Sequence, residues 1–158
     1  MPFRLREDAR TWFKPLREQR GGFAMDFDSY YFCFIAGIAT KQKKEIPQAD
    51  TAELVDHFPD KYRDRARHMV SLFLARELEI LGVSISEKKT VHAQISKLIQ
   101  PDSTSHLSAD GMHEFNRYAD GGFEAVATWF EDRPRRLETF LRGFKLKLDE
   151  TLAKEGGG

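Results

Sequence analysis

The segment FDSYYFCFIAGIA occupies residues 27–39, and from residue 30 onward it contains no charged residue and no proline, although 32% of the chain is charged. Such a segment is stable when it is buried on every side. A membrane span needs about 20 apolar residues, so we expect a central element of a globular core. Asp26 or Asp28 could cap a helix here, and Gly37 would admit a neighbouring backbone. We predict a helix, and the aromatic and β-branched content leaves a buried strand as the open alternative.

The length and composition of the chain bound the class of protein. Its 158 residues suit one domain that removes about 70% of its unfolded surface from water. The formal net charge of zero argues against a globally basic nucleic-acid binder or an acidic tail. The single cysteine, Cys33, allows no intramolecular disulfide and is expected to be a small buried hydrophobe. No apolar stretch follows the basic N-terminus, so we expect no signal peptide and predict a cytoplasmic location.

The first 22 residues are rich in arginine and interleave these with aromatic side chains. They could form an arm that grips phosphates or docks on a partner through Trp12 and Phe13. The favoured alternative is a short helix, broken near Pro15, that lays the same two side chains on the core. Trp12 and Phe13 stay candidates for partner contacts. The predicted organisation is a basic, aromatic-containing N-terminal arm at residues 1–22, a helical domain at residues 23–153 and a flexible tail at residues 154–158.

The spacing of apolar residues predicts helices in the rest of the chain. A break is expected at Gly121 and Gly122, because two glycines cost about 2 kcal/mol of helix propensity relative to alanine. The fold class expected is therefore all-α, a compact single-domain bundle of about six or seven helices. The predicted helices after residue 50 cover residues 51–58, 59–81, 87–100, 108–119, 123–130 and 134–152.

Two side chains depart from the pattern of their helices. Glu77 falls within the apolar stripe of the helix at residues 59–81, where a carboxylate needs a partner such as an arginine, or borders a functional cleft. Leu146 lies about 180° from the apolar stripe of the last helix, which indicates that this helix packs on two surfaces. We therefore name Leu146 as a partner contact and expect Leu146→Asp to weaken partner binding while the fold stays intact.

Motifs for chemistry are absent from the sequence. It contains no phosphate loop, dinucleotide fingerprint or HExxH motif, and its histidines do not pair at metal-ligand spacing, so we predict no catalytic residue, metal or cofactor. An enzymatic hypothesis on Glu77, Asp110, His113 and Glu114 is the minority view. Basic residues that could instead contact nucleic-acid phosphates are Lys41, Lys43, Lys44, Arg63, Arg67, Arg133, Arg135 and Arg136.

Two segments of the chain resemble a known family. The segment HEFNRYADGGFEAV, residues 113–126, resembles a stretch near the C-terminus of small accessory proteins encoded with bacterial DNA-phosphorothioation (Dnd) systems, where a helix with an aromatic–alanine pair reaches a double glycine and another helix. Residues 27–39 resemble the apolar helix in the front half of those proteins. The two segments cover less than a fifth of the chain, and neither is a catalytic signature. No functional residue carries over.

The resemblance implies a helical accessory component of a DNA-modification or phage-defence complex, which contacts larger proteins and, as a further option, DNA. We therefore expect a non-enzymatic subunit that acts through protein–protein contacts, with no membrane partner. The alternative is a small DNA-binding module that uses the arginine and lysine clusters. Phosphate contacts of that kind predict an affinity that falls steeply with salt concentration.

Overall fold

The computed structural model describes residues 1–157, which form six α-helices and one small two-stranded sheet. The predicted all-α class is thus confirmed in its broad form. The elements are β1 (Arg4–Arg6), α1 (Glu7–Glu18), α2 (Asp26–Thr40), β2 (Thr51–Glu53), α3 (Arg63–Ile80), α4 (Lys88–Leu98), α5 (Ala109–Trp129) and α6 (Leu137–Gly157), with 3₁₀ turns at Gln48–Asp50 and Asp60–Tyr62.

The centre of the fold is the packing of α2 against α5. The apolar segment at residues 27–39 is helical, as predicted, and most of its side chains are buried. A Cβ atom added at Gly37 would overlap the Tyr118 carbonyl oxygen, and one added at Gly122 would overlap the Cys33 carbonyl oxygen. Glycine at both positions therefore lets the two helix backbones touch.

The helix break expected at Gly121 and Gly122 does not occur, because α5 runs without interruption from Ala109 to Trp129. Gly121 faces the backbone of Gln42, and Gly122 faces α2. The burial of both glycines against other backbone segments outweighs their poor helix propensity, which is about 2 kcal/mol for the pair. The predicted cap is correct, since the Ser108 side chain accepts a hydrogen bond from the Gly111 N–H at 3.0 Å.

The first residues are part of the core rather than a separate arm. Phe3, Leu5 and Phe13 are completely buried, and Pro15 lies inside α1 without ending it. The helix predicted at residues 51–58 is also wrong. Residues 51–53 form β2, which pairs antiparallel with β1 through Arg4↔Glu53, Leu5↔Ala52 and Arg6↔Thr51.

The free edge of β1 is hydrogen-bonded to α5. The main-chain N–H of Arg4 donates to Asn116 Oδ1 at 3.1 Å, and that of Arg6 donates to Asp120 Oδ1 at 3.2 Å. Four residues of helix rise about 6 Å and two residues of strand about 6.6 Å, so acceptors at i and i+4 match donors at j and j+2. The hydroxyl of Tyr30 on α2 also donates to Asn116 Oδ1, at 2.8 Å.

The expected flexible tail at residues 154–158 is helical as far as Gly157, and Gly158 lies outside the described residues. Glu155 forms ion pairs with Arg76 on α3 at 3.0 Å and with Lys41 at 3.2 Å. These contacts hold the end of α6 against α3. The long helix predicted at residues 59–81 is confirmed as a 3₁₀ turn followed by α3, and Gly82 ends it with a φ of 71°.

Gly122→Ala tests the contact between α2 and α5. In an open helix this change would add about 1 kcal/mol of stability, but here the methyl group meets a backbone carbonyl that has no room to move. We expect the free energy of unfolding, measured in urea, to fall by about 1–3 kcal/mol or more. Gly143→Ala on α6 is the control, since its added methyl group meets the Phe130 side chain rather than a backbone carbonyl, so we expect a smaller loss. A stabilised Gly122→Ala variant would contradict the close contact.

Asp120→Asn tests how much the burial of a carboxylate lowers the free energy of unfolding. Burial raises the pKa of Asp120 to about 7 from 3.8, although the Arg6 N–H and guanidinium oppose the shift and Asp8 and Glu45 add to it. Between about pH 4 and pH 7 the folded state keeps a proton that the unfolded chain has lost, so this group lowers stability as the pH rises through that window.

We expect urea unfolding to show that Asp120→Asn is more stable than the wild type at pH 8, and that the gain shrinks towards zero at pH 4.5. The asparagine oxygen still accepts the Arg6 N–H, so the change removes the charge and keeps the hydrogen bond. Asp132→Asn, at an exposed aspartate, is the control and should change little at either pH. An equal gain at both pH values would argue against a raised Asp120 pKa.

Candidate functional site

The predicted partner contacts occupy three different environments. Phe13 is completely buried, so the prediction that it contacts a partner is wrong. Trp12 is half-buried, and its ring packs on those of Phe123 and Phe130 at centroid distances of 6.1 and 5.9 Å. Leu146 is 59% exposed on α6, where the sequence placed it. Leu146 therefore remains a candidate contact, while the aromatic side chains of α1 mainly build the core.

The three lysines predicted to contact phosphates form intramolecular ion pairs. Lys41 lies 2.8 Å from Glu79, Lys43 lies 2.8 Å from Glu77, and Lys44 lies 2.6 Å from Glu124. Their charges therefore fasten the segment after α2 to α3 and α5. A phosphate would have to compete with carboxylates that are already in place.

The arginine candidates differ from the lysines. Arg63 pairs with Asp60 at 3.0 Å, and both side chains are largely exposed. Within residues 1–157, the other four arginines that were predicted to contact phosphates have no ion-pair partner. Three of them surround Pro134 just before α6, where Gln19 holds the backbone by accepting the Leu137 N–H at 2.9 Å. The four are Arg67, Arg133, Arg135 and Arg136.

Glu77 has the partner that its buried position requires. Its side chain is 8% exposed, and Lys43, at 16% exposed, binds both Glu77 and Glu114. Burial works against ionisation of Glu114, yet the charges of Lys43 and Arg117 hold the pKa of that carboxyl below its usual value. The network is a charge-compensated link between α3, α5 and the segment after α2.

The residues of the enzymatic hypothesis line one cavity of about 290 Å³. It is bordered by Glu77, Asp110, His113 and Glu114, so the fold places these four side chains around one cavity, although Glu77 is distant in sequence from the other three. However, Glu77 and Glu114 share Lys43, and His113 Nε2 lies 3.0 Å from Glu45. Ion pairs with Lys43 occupy two of these four side chains, and Glu45 contacts a third. No group of histidine, cysteine, aspartate or glutamate side chains in the described part of the chain could hold a metal ion.

Lys43→Met tests whether this network is structural. Removing the ammonium leaves Glu77 buried without its counter-ion, so we expect the free energy of unfolding in urea to fall by about 3 kcal/mol, and the double variant with Glu77→Leu to recover most of the loss. Lys44→Met is the control, because its ion pair with Glu124 is exposed and contributes less than about 1 kcal/mol. Equal losses in the two single variants would contradict a structural role for Lys43.

Two apolar concavities lie along α3. The inner face of this helix buries Met69 and Phe73 in the core. A second apolar face, rotated by about 100°, carries Val70, Leu74 and Leu78. It borders two cavities of about 520 and 510 Å³, which share Ser71 and Leu74 and therefore adjoin; we call them together the α3 groove. The first is lined by Arg63, Ala66, Arg67, Val70, Ser71, Leu74, Ile99, Pro101 and His106, and the second by Ser71, Leu74, Ala75, Leu78, Glu79, Val83 and Ile85.

The α3 groove ends at an exposed aliphatic side chain, Ile85, which is 85% exposed. Leu81 and Ile80 are also exposed, at 53% and 48%, but they do not line the groove. The sequence pattern of α3 shows one wide apolar stripe and does not separate the inner face from the second face, so it does not predict the α3 groove. Two signals for it were present: the width of the stripe, and an isoleucine at residue 85 within the polar segment SISEKK.

Comparison of the chain with protein-family models, with curated proteins and with solved structures found no match in any of the three. None of the described helices is both long enough and apolar enough to cross a bilayer. The chemistry of the surfaces is therefore the basis on which a function can be inferred.

Proposed function

We propose that this chain is a non-enzymatic accessory subunit that binds a larger protein, and the observation that carries the proposal is the uncovered α3 groove. Aliphatic side chains line it from Val70 to Ile85; Val70, Leu74 and Leu78 are half-buried and Ile85 is exposed, and apolar surface of this kind marks interaction sites in proteins. Leu146 on α6 supplies a second exposed apolar contact.

The form of the α3 groove favours a protein ligand over a small substrate. Small-molecule sites surround their ligand and place a few converging polar groups around it. The α3 groove is instead open and aliphatic, with charged side chains at its two ends. In the cavity lined by Glu77, Asp110, His113 and Glu114, the Lys43 ion pairs compensate Glu77 and Glu114.

The assembly we propose is a bacterial DNA-modification or phage-defence complex in the cytoplasm. This part of the proposal rests on the resemblance of residues 27–39 and 113–126 to Dnd accessory proteins. The two segments lie in α2 and α5, which pack together at the centre of the fold. The resemblance therefore concerns the scaffold, and the α3 groove supplies the docking surface.

DNA binding is the second candidate function. Arg133, Arg135 and Arg136 are exposed around the start of α6 and, in the part of the chain that the structure describes, have no ion-pair partner. The positive end of the α6 dipole lies beside them. This concentration of uncompensated positive charge is the observation that favours the candidate.

Purification of the tagged protein from its native cell at low and moderate salt tests both functions. We expect a stoichiometric complex with a larger protein at both salt concentrations. Because Ile85 projects from the rim and is not part of the core, Ile85→Asp should reduce recovery about tenfold without unfolding the domain. Leu146→Asp should weaken binding as well.

Leu141→Asp is the control, since Leu141 is 41% exposed on α6 about 140° around the helix from Leu146. Circular dichroism establishes that each variant is folded. Recovery of the protein alone would end the accessory-subunit proposal. Recovery of nucleic acid alone, lost as the salt rises, would replace it with the DNA-binding candidate.

A further inference from the structure

The charge of the α3 groove is uneven along its length. At the start of α3, Arg63 is compensated by Asp60, while Arg67 has no ion-pair partner within residues 1–157. At the other end, Glu79 is paired with Lys41 and Arg76, each at 2.8 Å. The described groove therefore carries one uncompensated positive charge, at Arg67, whereas the charge of Glu79 at its far end is compensated by ion pairs.

The shape of the α3 groove matches a helix. Its floor is the row Val70, Leu74 and Leu78, spaced four residues apart, which is the ridge that packs into the grooves of a second helix. From residue 63 to residue 78, the stretch of α3 that lines the groove is about 22 Å long, or about four helical turns, and the aliphatic floor occupies about 12 Å of it. Ile99 borders one part of this floor and Ile85 the other. A segment of about 15 residues would cover it.

We propose that the α3 groove receives an amphipathic helical segment of the partner protein, whose apolar side chains cover Val70, Leu74 and Ile85 and whose acidic side chains contact Arg67. The inference rests on the proposed function, since it names the ligand of the same docking surface. Burial of the aliphatic floor supplies the affinity, and the pairing of a carboxylate with Arg67 fixes the direction of the segment.

Other occupants fit the α3 groove less well. A nucleic acid needs several uncompensated cations along its backbone, and the groove offers one. A second copy of the chain would present its own α3 groove. The one acidic residue that lines the described groove, Glu79, is already paired with Lys41 and Arg76. A segment of a different protein can supply an unpaired carboxylate for Arg67, which favours it as the ligand.

Selection of a displayed library of random 16-residue peptides on the full chain tests the inference, with counter-selection on Ile85→Asp. We expect the enriched peptides to place apolar residues three and four positions apart and to contain an excess of aspartate and glutamate. Fluorescence anisotropy should show that Arg67→Glu weakens their binding about tenfold, and that replacing the acidic residues of the peptide by lysine restores binding to Arg67→Glu.

Arg20→Glu is the matched control, since Arg20 is exposed and lies outside the groove. Enriched peptides without an acidic excess, peptides that bind Ile85→Asp equally well, or a library that yields no binder would each overturn the inference. Light scattering that shows a dimer of the wild type and a monomer of Ile85→Asp would overturn it in favour of a second copy.

The outcomes separate this inference from the proposed function. A native complex that is lost in Ile85→Asp and unchanged in Arg67→Glu supports the accessory subunit and contradicts the acidic segment. Conversely, a chain that binds acidic peptides through Arg67 but is recovered alone from its native cell supports the binding chemistry and contradicts the accessory subunit.

Discussion

The rest of the structure depends on the contact between α2 and α5, where Gly37 and Gly122 allow the two backbones to touch. This contact fixes the rotation of α5, and so presents Asn116 and Asp120 to the free edge of β1. The first residues of the chain can then enter the core, because their buried N–H groups find acceptors. The two glycines thus decide where β1 is held, although one of them, Gly122, lies more than a hundred residues from that strand in sequence.

The local sequence predicts the secondary structure correctly where a segment is buried on all sides. It fails where contact with a residue distant in sequence determines the secondary structure. Residues 27–39 were recognised as a central helix, since no exposed face was available to them. The glycine pair in α5 was misread as a break because helix propensity contains no information about close packing. Residues 51–58 were misread as a helix because the competing interaction, pairing with β1, involves residues more than 40 positions earlier.

The candidate sites likewise have properties that the local sequence predicts and contacts that it does not predict. Glu77 was correctly identified as a carboxylate that needs a partner, because its position in the apolar stripe is a local property. Its partner, Lys43, lies 34 residues earlier, beyond the reach of a helical pattern. For the same reason the lysines after α2 looked like a free basic cluster. Specific ion pairs in fact compensate these lysines, whereas Arg67 has no ion-pair partner within the described residues 1–157.

The two faces of α3 connect the fold to the proposed docking role. The inner face is covered by the core, whereas Leu74 on the outer face packs only partly against it, and Ile85 projects almost entirely into solvent. An isolated exposed aliphatic residue needs no explanation. Here, however, the exposed Ile85 lines a groove whose floor has the spacing of a helix-packing ridge. Val70 and Leu74 serve folding as well, because they pack against the core. The proposed helix would in addition cover Ile85 and pair with the Arg67 guanidinium, which the described residues leave without an ion-pair partner.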